Sequence, residues 1–352
     1  MNQPSRLALS AASLLAAAGL LVALPYVVGV SWFQVWSVVG SLRPMTLLWL
    51  TALWLAGLWV YTYVLTASLP GLTHMRGFAL NAAGSAISNL LPFGGAAGVA
   101  VSFAMCKSWG YRTTAVAVST VVTGVWNILV KLLLPVIGIG ALLVAGQVPD
   151  RRLGMAAIVG CAVLLGLVVA VALALGYESV AEWVRDALLR LAVHLPGRLR
   201  RGTVRAAGAV LRLRHTTLDV LRTGWVGLTL GMTVYVCMQA LLFAACIRAT
   251  GAYVGAAETI AVFALNRILT TAVVTPAGTG ISETGTAALL AALGAPAAPA
   301  ATGALLYMLF MHTLEIPLGG LAAAWWAYTR RPSPEDLAAA KADQEKTDLA
   351  HL

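Results

Sequence analysis

Apolar positions in this chain do not alternate with polar ones at a strand or surface-helix period; they run on for about 20 residues at a time. The runs 7–30, 45–67, 113–146, 153–176, 224–249 and 299–328 are each long enough, at about 1.5 Å per residue, to cross a hydrocarbon core ~30 Å thick. They are predicted to be full spans. Two further apolar regions, 77–107 and 257–293, are interrupted near their middles, by Leu91-Pro92-Phe93-Gly94-Gly95 and by Thr275-Pro276-Ala277-Gly278-Thr279-Gly280. Proline removes a donor and clashes with the preceding turn, and glycine admits backbone conformations foreign to a helix. Each half then covers roughly 20–27 Å, too little for a span. The pattern predicts an all-α, polytopic helical membrane protein with about six full spans plus two re-entrant broken-helix hairpins, eight membrane elements in all.

The two breaks organise the chain. A shift of 184 residues lays Pro92 on Pro276, Gly94 on Gly278, Gly110 on Gly294 and Lys131 on Glu315. Paired broken segments in corresponding halves are the sequence mark of a transport site between repeats. With both hairpins re-entrant, Arg6, Arg76, Lys107, Arg112, the segment 177–223 and the tail fall on one side. That segment alone carries nine arginines against four acids. The other side keeps Arg43, Arg151 and Arg152, besides Arg248 at a span end, so the basic side is predicted to be cytoplasmic. The hairpins then enter from opposite faces, as an inverted repeat requires. One transmembrane domain, 1–330, is expected, with halves of about 1–146 and 153–330 and a cytoplasmic tail at 331–352. Within it, 177–223 reads as two amphipathic helices meeting at Leu195-Pro196-Gly197. Val180, Trp183, Val184, Leu188 and Leu191 form the apolar face of the first.

Composition narrows the class further. Of 352 residues 60% are hydrophobic and 10% charged, which excludes a soluble globular domain. The run 7–30 exceeds a signal-peptide core and is expected to remain as a span. Four cysteines (Cys106, Cys161, Cys237, Cys246) all lie in apolar segments, without metal or disulfide spacing. The net charge of +10 belongs to loops flanking spans, so no nucleic-acid surface is expected. No nucleotide loop, nucleophile elbow or paired intramembrane aspartates occur, and no metal or cofactor is expected.

Charge within the apolar regions is sparse and therefore informative, because each charge at the bilayer centre costs at least ~2.5–3.5 kcal/mol on insertion scales. Lys131 follows Asn127 by one turn, with Thr123 and Thr120 along the same stripe. Arg267 follows Asn266 on the approach to the second break, and Glu283 lies in the first turn leaving it. Glu315 has His312 three residues before it and Pro317 two residues after. Glu283 is expected either to cap its own helix or to pair with Arg267 and pin the hairpin. The candidate substrate-binding residues are Lys131, Arg267, Glu283, Glu315, Asn127, His312, Asn89 and Asn266. Pro92, Gly94, Gly95, Pro276, Gly278 and Gly280 are the hinge residues of the breaks.

The stretches Asn89-Leu90-Leu91-Pro92-Phe93-Gly94-Gly95, Lys107…Gly110-Tyr111-Arg112 and Pro276-Ala277-Gly278-Thr279-Gly280-Ile281-Ser282-Glu283 resemble the transmembrane region of lysylphosphatidylglycerol synthetases. This is the flippase-like domain of multiple peptide resistance factors, found also as free-standing bacterial membrane proteins. Members often carry Glu-Arg and a following Asp in the span after the first break, where this chain has Gly124, Trp126, Asn127 and Lys131. About 24 residues follow the last span, so no aminoacyl-transferase domain is expected. The resemblance implies a flippase-like transporter, not an enzyme, that moves a lipid (a phospholipid, an aminoacylated phospholipid or a polyprenyl or glycolipid) between leaflets of the plasma membrane, with both termini cytoplasmic. Lys131 and Arg267 would meet phosphate, and Glu283 and Glu315 an amine or a proton. Its partners would be membrane lipids with anionic headgroups, together with a second copy of the chain or a separate lipid-synthesising enzyme. A lipid-modifying transferase and a secondary transporter of a small solute stay open as alternatives.

Overall fold

The computed structural model describes residues 31–91, 94–146, 151–193, 197–270 and 279–329, with side chains between 151 and 221 described only in part. The predicted span 7–30, the residues Pro92, Pro276 and Gly278, and the tail 331–352 lie outside the described residues. What is described is helical, with no strand, as an all-α polytopic membrane protein requires.

Helix α1 (Trp32–Gly40) is short and opens with a capping box in which Ser31 and Gln34 satisfy each other's backbone donors. Helix α2 (Pro44–Ser68) follows, with proline at its start, where a missing donor costs nothing. Helices α3 (His74–Leu90) and α4 (Gly94–Ser108) pack on each other as the first hairpin. Helix α5 (Thr113–Val144) runs through Pro135 without ending. Helix α6 (Arg151–Gly176) lies against α5 and exposes Met155, Ile158, Val159 and Val163 on its outer face. Helices α7 (Glu178–Val193) and α8 (Gly197–Thr250) pack together. The second hairpin is α9 (Ala256–Leu269) and α10 (Ile281–Ala292). Helix α11 (Ala297–Met308) passes through a π-helical turn (Leu309–Thr313) into α12 (Glu315–Thr329).

Among the described residues four helical stretches are long and apolar enough to cross a membrane: 44–68, 113–144, 222–250 and 297–329. They coincide with four of the predicted spans. Exposed Trp36 and Trp49 stand near one end of this bundle, and exposed Trp225, Trp325 and Tyr328 near the other, as amphipathic rings do at the two interfaces.

The segment 177–223 differs from expectation in two respects. Its second helix does not stop before the following span; the basic stretch and the span form one helix of 54 residues, about 80 Å long. No proline separates them, and Gly224 at the junction keeps a helical backbone, so the ladder does not end there. Trp183, predicted for the apolar face of α7, is exposed, whereas Ala181, Ala192 and Ala207 are buried where α7 meets α8. Small side chains let the two helices approach closely, and the bulky ring is left outside.

Glycine sets the central contacts. A Cβ on Gly224 would lie 2.5 Å from the Ala67 carbonyl oxygen, and Gly231 faces Val64, so α2 and α8 run antiparallel in close contact. Gly319 of α12 meets Ala86 and the Ala82 carbonyl of α3, and Gly138 of α5 meets Ala264 and Ala261 of α9. Each hairpin thus leans on the long helix of the opposite half. Lipid offers no hydrophobic advantage to helix association, so close packing of small residues carries it.

The contacts also set depth. Ser68 and Ser119 share a hydrogen bond (2.7 Å), and Trp326 donates to Ser108 (2.8 Å), which puts the base of the first hairpin at one end of the bundle. Its other end, Asn89, reaches His312 and Glu315, halfway along the 297–329 helix. Ile247, Thr250 and Gly303 gather at the base of the second hairpin, at the opposite end.

Candidate functional site

Helix α3 places Asn81, Ser85, Ser88 and Asn89 on one face, at helical spacing. Helix α5 faces them with Ser119, Thr120, Thr123 and Asn127, and α4 adds Ser102. Between these helices, closed on one side by Tyr61 and Leu65 of α2, lies a cavity of about 380 Å³. Glycine makes room for the hydroxyls: a Cβ on Gly98 would fall 2.3 Å from Ser88 Oγ, and one on Gly94 2.4 Å from the Ser88 carbonyl oxygen. Most of the hydroxyls are engaged locally. Thr120 and Thr123 donate to the carbonyls of Val116 and Ser119, Ser102 to Gly98, and Ser88 to Gly94.

Past the hairpin tip the chemistry changes from neutral to charged. Asn89 Nδ2 donates to Glu315 Oε2 (3.0 Å) and to the His312 carbonyl (3.4 Å), and the Ser85 hydroxyl sits beside the same carboxylate. Glu315 is buried halfway along the continuous 297–329 helix. The turn before it is π-helical, closed by the Leu314 N–H donating to the Leu309 carbonyl (2.8 Å). Pro317, two residues into α12, has no N–H to give to the Thr313 carbonyl. Such widened turns often mark functional sites. Both ring nitrogens of His312 are buried without a protein partner among the described residues, and the Tyr307 hydroxyl one turn earlier is buried beside Arg267.

Arg267, near the end of α9, reaches the same region from the opposite half. It lies within electrostatic range of Lys131, His312, Glu315, Tyr235 and Tyr307. Among the described residues it has no carboxylate at ion-pair distance. Lys131 is half-buried, one turn beyond Asn127, and no carboxylate lies at ion-pair distance from it either. Arg267 therefore lies in the field both of Lys131 and of a buried carboxylate that already accepts bonds from neutral donors.

The predicted site residues separate into two groups. Asn89 and Asn127 line the cavity, Asn89 bonds to Glu315 and to the His312 carbonyl, and Arg267 lies within electrostatic range of Lys131, His312 and Glu315. Asn266 and Glu283 do not join them. Asn266 Nδ2 donates to Thr286 Oγ1 (3.1 Å), tying α9 to α10. Glu283 is 3% exposed and its carboxylate accepts from the Gly280 N–H. The expected Arg267–Glu283 pair is absent, because the orphan donor at the start of α10, beside a left-handed Gly280 (φ 87°), takes the carboxylate locally. Gly94 is buried against Ser88, whereas Gly95 is exposed and lines the cavity. Asn81, Ser85, Ser88 and Ser102 were not singled out in the sequence. The spacing 81, 85, 88/89 on an otherwise apolar helix was the available signal.

The repeat is visible in geometry where identity is low. Gly110 (φ 87°) and Gly294 (φ 98°), 184 residues apart, both close a helix with the same pair of bonds. Gly110 and Tyr111 donate to the carbonyls of Lys107 and Cys106; Gly294 and Ala295 donate to those of Ala291 and Leu290. The same shift carries α3, α4 and α5 onto α9, α10 and the α11–α12 helix. It exchanges the α3–α12 contact with the α5–α9 contact.

A search among curated proteins finds no match. A family model described as Lysylphosphatidylglycerol synthase TM region matches residues 9–319, which takes in both hairpins, the cavity and the charged cluster. The chain belongs to that family.

Proposed function

We propose that this protein is a flippase-like transporter that passes a lipid headgroup between leaflets through the polar cavity, while the acyl chains stay in the bilayer. One observation carries the reading: Lys131 of α5 and Arg267 near the end of α9, one from each half, lie within electrostatic range of each other without a carboxylate at ion-pair distance among the described residues, and Lys131 stands one turn beyond Asn127 of the hydroxyl- and amide-lined cavity. Charge at that depth is costly and needs a function or a partner; a phosphate arriving with its lipid supplies the partner. Helix α3 ends at the middle of the opposing 297–329 helix, which is the form that a re-entrant element takes. On this reading α3–α4 enters from the face where Lys107 and Arg112 lie, and the excess of basic residues makes that face cytoplasmic.

The test is reconstitution into liposomes with a fluorescent phospholipid and a membrane-impermeant quencher. Each charge-assisted contact is worth about 1.5–3 kcal/mol, so Lys131→Ala and Arg267→Ala are each expected to slow lipid movement roughly tenfold or more. Movement at the wild-type rate in both variants would overturn the assignment. Chemical turnover of the lipid would instead favour a transferase.

A further inference from the structure

The cavity and the charged cluster ask for different chemistry, and the contrast bears on what the headgroup is. Among the side chains lining the cavity there is no Asp, Glu, Lys, Arg or His. Thr120, Thr123, Ser88 and Ser102 spend their protons on carbonyls of their own hairpin or helix, so what they turn toward the cavity is oxygen lone pairs. The carboxamides of Asn81 and Asn127 have no partner among the described residues and can both donate and accept. A wall of acceptors interspersed with two-way amides matches a group carrying several hydroxyls.

It suits an amine poorly. An ammonium leaving water needs a carboxylate, and the nearest, Glu315, is occupied by Asn89 and Ser85 and lies in the field of Arg267. Lys131 and Arg267 would repel it in addition. Size and spacing agree with a small polyol. The cavity is near the lower end of the range usual for small-molecule sites, about 300–1,000 Å³. Lys131 and Asn127 are one turn apart on α5, about 5–6 Å. A phosphate at Lys131 therefore places its substituent among the amides and hydroxyls.

We infer that the cavity takes an uncharged, polyhydroxylated group, glycerol or a cyclic polyol or sugar, linked to a phosphate held by Lys131 and Arg267, and discriminates against headgroups bearing a free amine. The inference rests on the transport reading for its route but not for its chemistry. The test compares phosphatidylglycerol, phosphatidylinositol, phosphatidylserine and phosphatidylethanolamine with one labelled acyl chain in the same proteoliposomes. Phosphatidylserine has the net charge of phosphatidylglycerol but carries an amine. The two polyol lipids are expected to move at least tenfold faster than the two amine lipids. Asn127→Asp, which puts a carboxylate on the wall, is expected to shrink that ratio by about tenfold while the variant keeps its thermal midpoint. Equal rates for phosphatidylglycerol and phosphatidylserine would overturn the inference and leave lipid transport standing.

A second measurement separates the two claims. Thermal stabilisation of detergent-solubilised protein is followed with glycerol phosphate, inositol phosphate, ethanolamine phosphate and inorganic phosphate. Stabilisation by the polyol phosphates above the other two, with no lipid moving in any liposome, would uphold the headgroup chemistry and overturn lipid transport in favour of a soluble solute. Equal stabilisation by all four would overturn the polyol site.

Discussion

Asn89 is the side chain through which the two halves speak to each other. It ends α3, yet its amide is spent on Glu315 and on the His312 carbonyl, more than 220 residues away in sequence. Asn89→Ala leaves a buried carboxylate short of a donor, a loss of about 1–3 kcal/mol. We expect a lower thermal midpoint in detergent. Glu315→Gln keeps an acceptor for Asn89 and removes the charge, so its midpoint is expected to fall less than that of Asn89→Ala. The reverse order would mean that the carboxylate's charge, rather than the bond, holds the junction. Sequence exposed Glu315 as unusual because acids are rare in apolar runs. Asn89 too was a candidate from the sequence, but nothing there joined the two, since they stand more than 220 residues apart.

At the scale of elements the first hairpin is a glycine device. Gly98 has no space for a side chain, with Ser88 Oγ and the Gly84 carbonyl in the way, whereas Gly95 has nothing within 4 Å. Gly98→Ala is expected to force the arms apart at a cost of about 1–3 kcal/mol, read as a lower unfolding midpoint. Gly95→Ala is expected to be neutral or to stabilise by up to about 1 kcal/mol, the helix-propensity gain. Both glycines stand in one four-residue stretch of sequence; only the facing helix tells them apart. A similar contrast explains α8. The amphipathic stretch and the apolar span are separable by composition, but no proline lies between Gly197 and Thr250, and the glycines there keep helical backbone, so the helix runs on.

Across the whole molecule the repeat makes a quantitative demand. Gly110 and Gly294 occupy the same left-handed position at the base of each half and have open space around them. Gly110→Ala and Gly294→Ala should therefore each cost about 1–2 kcal/mol, from backbone strain alone. Thermal melts of the single and double variants would check this, with the double showing the sum because the sites are far apart. What the amino-acid sequence determined by itself was the membrane class, the long spans, the two breaks and the 184-residue correspondence. These follow from local matters: how many apolar residues cover ~30 Å, and what proline and glycine do to a helix. Only the tertiary structure decided which polar residues share a site. It set Arg267 within electrostatic range of both Lys131 and Glu315, gave Glu283 to its own helix terminus and Asn266 to hairpin packing, and opened a neutral cavity where Asn81, Ser85, Ser88 and Ser102 join the Thr120–Asn127 stripe. The reason is physical. A polar side chain's role depends on the donor or charge nearest to it once buried, and that neighbour is set by how helices from both halves pack, not by residues beside it in the chain.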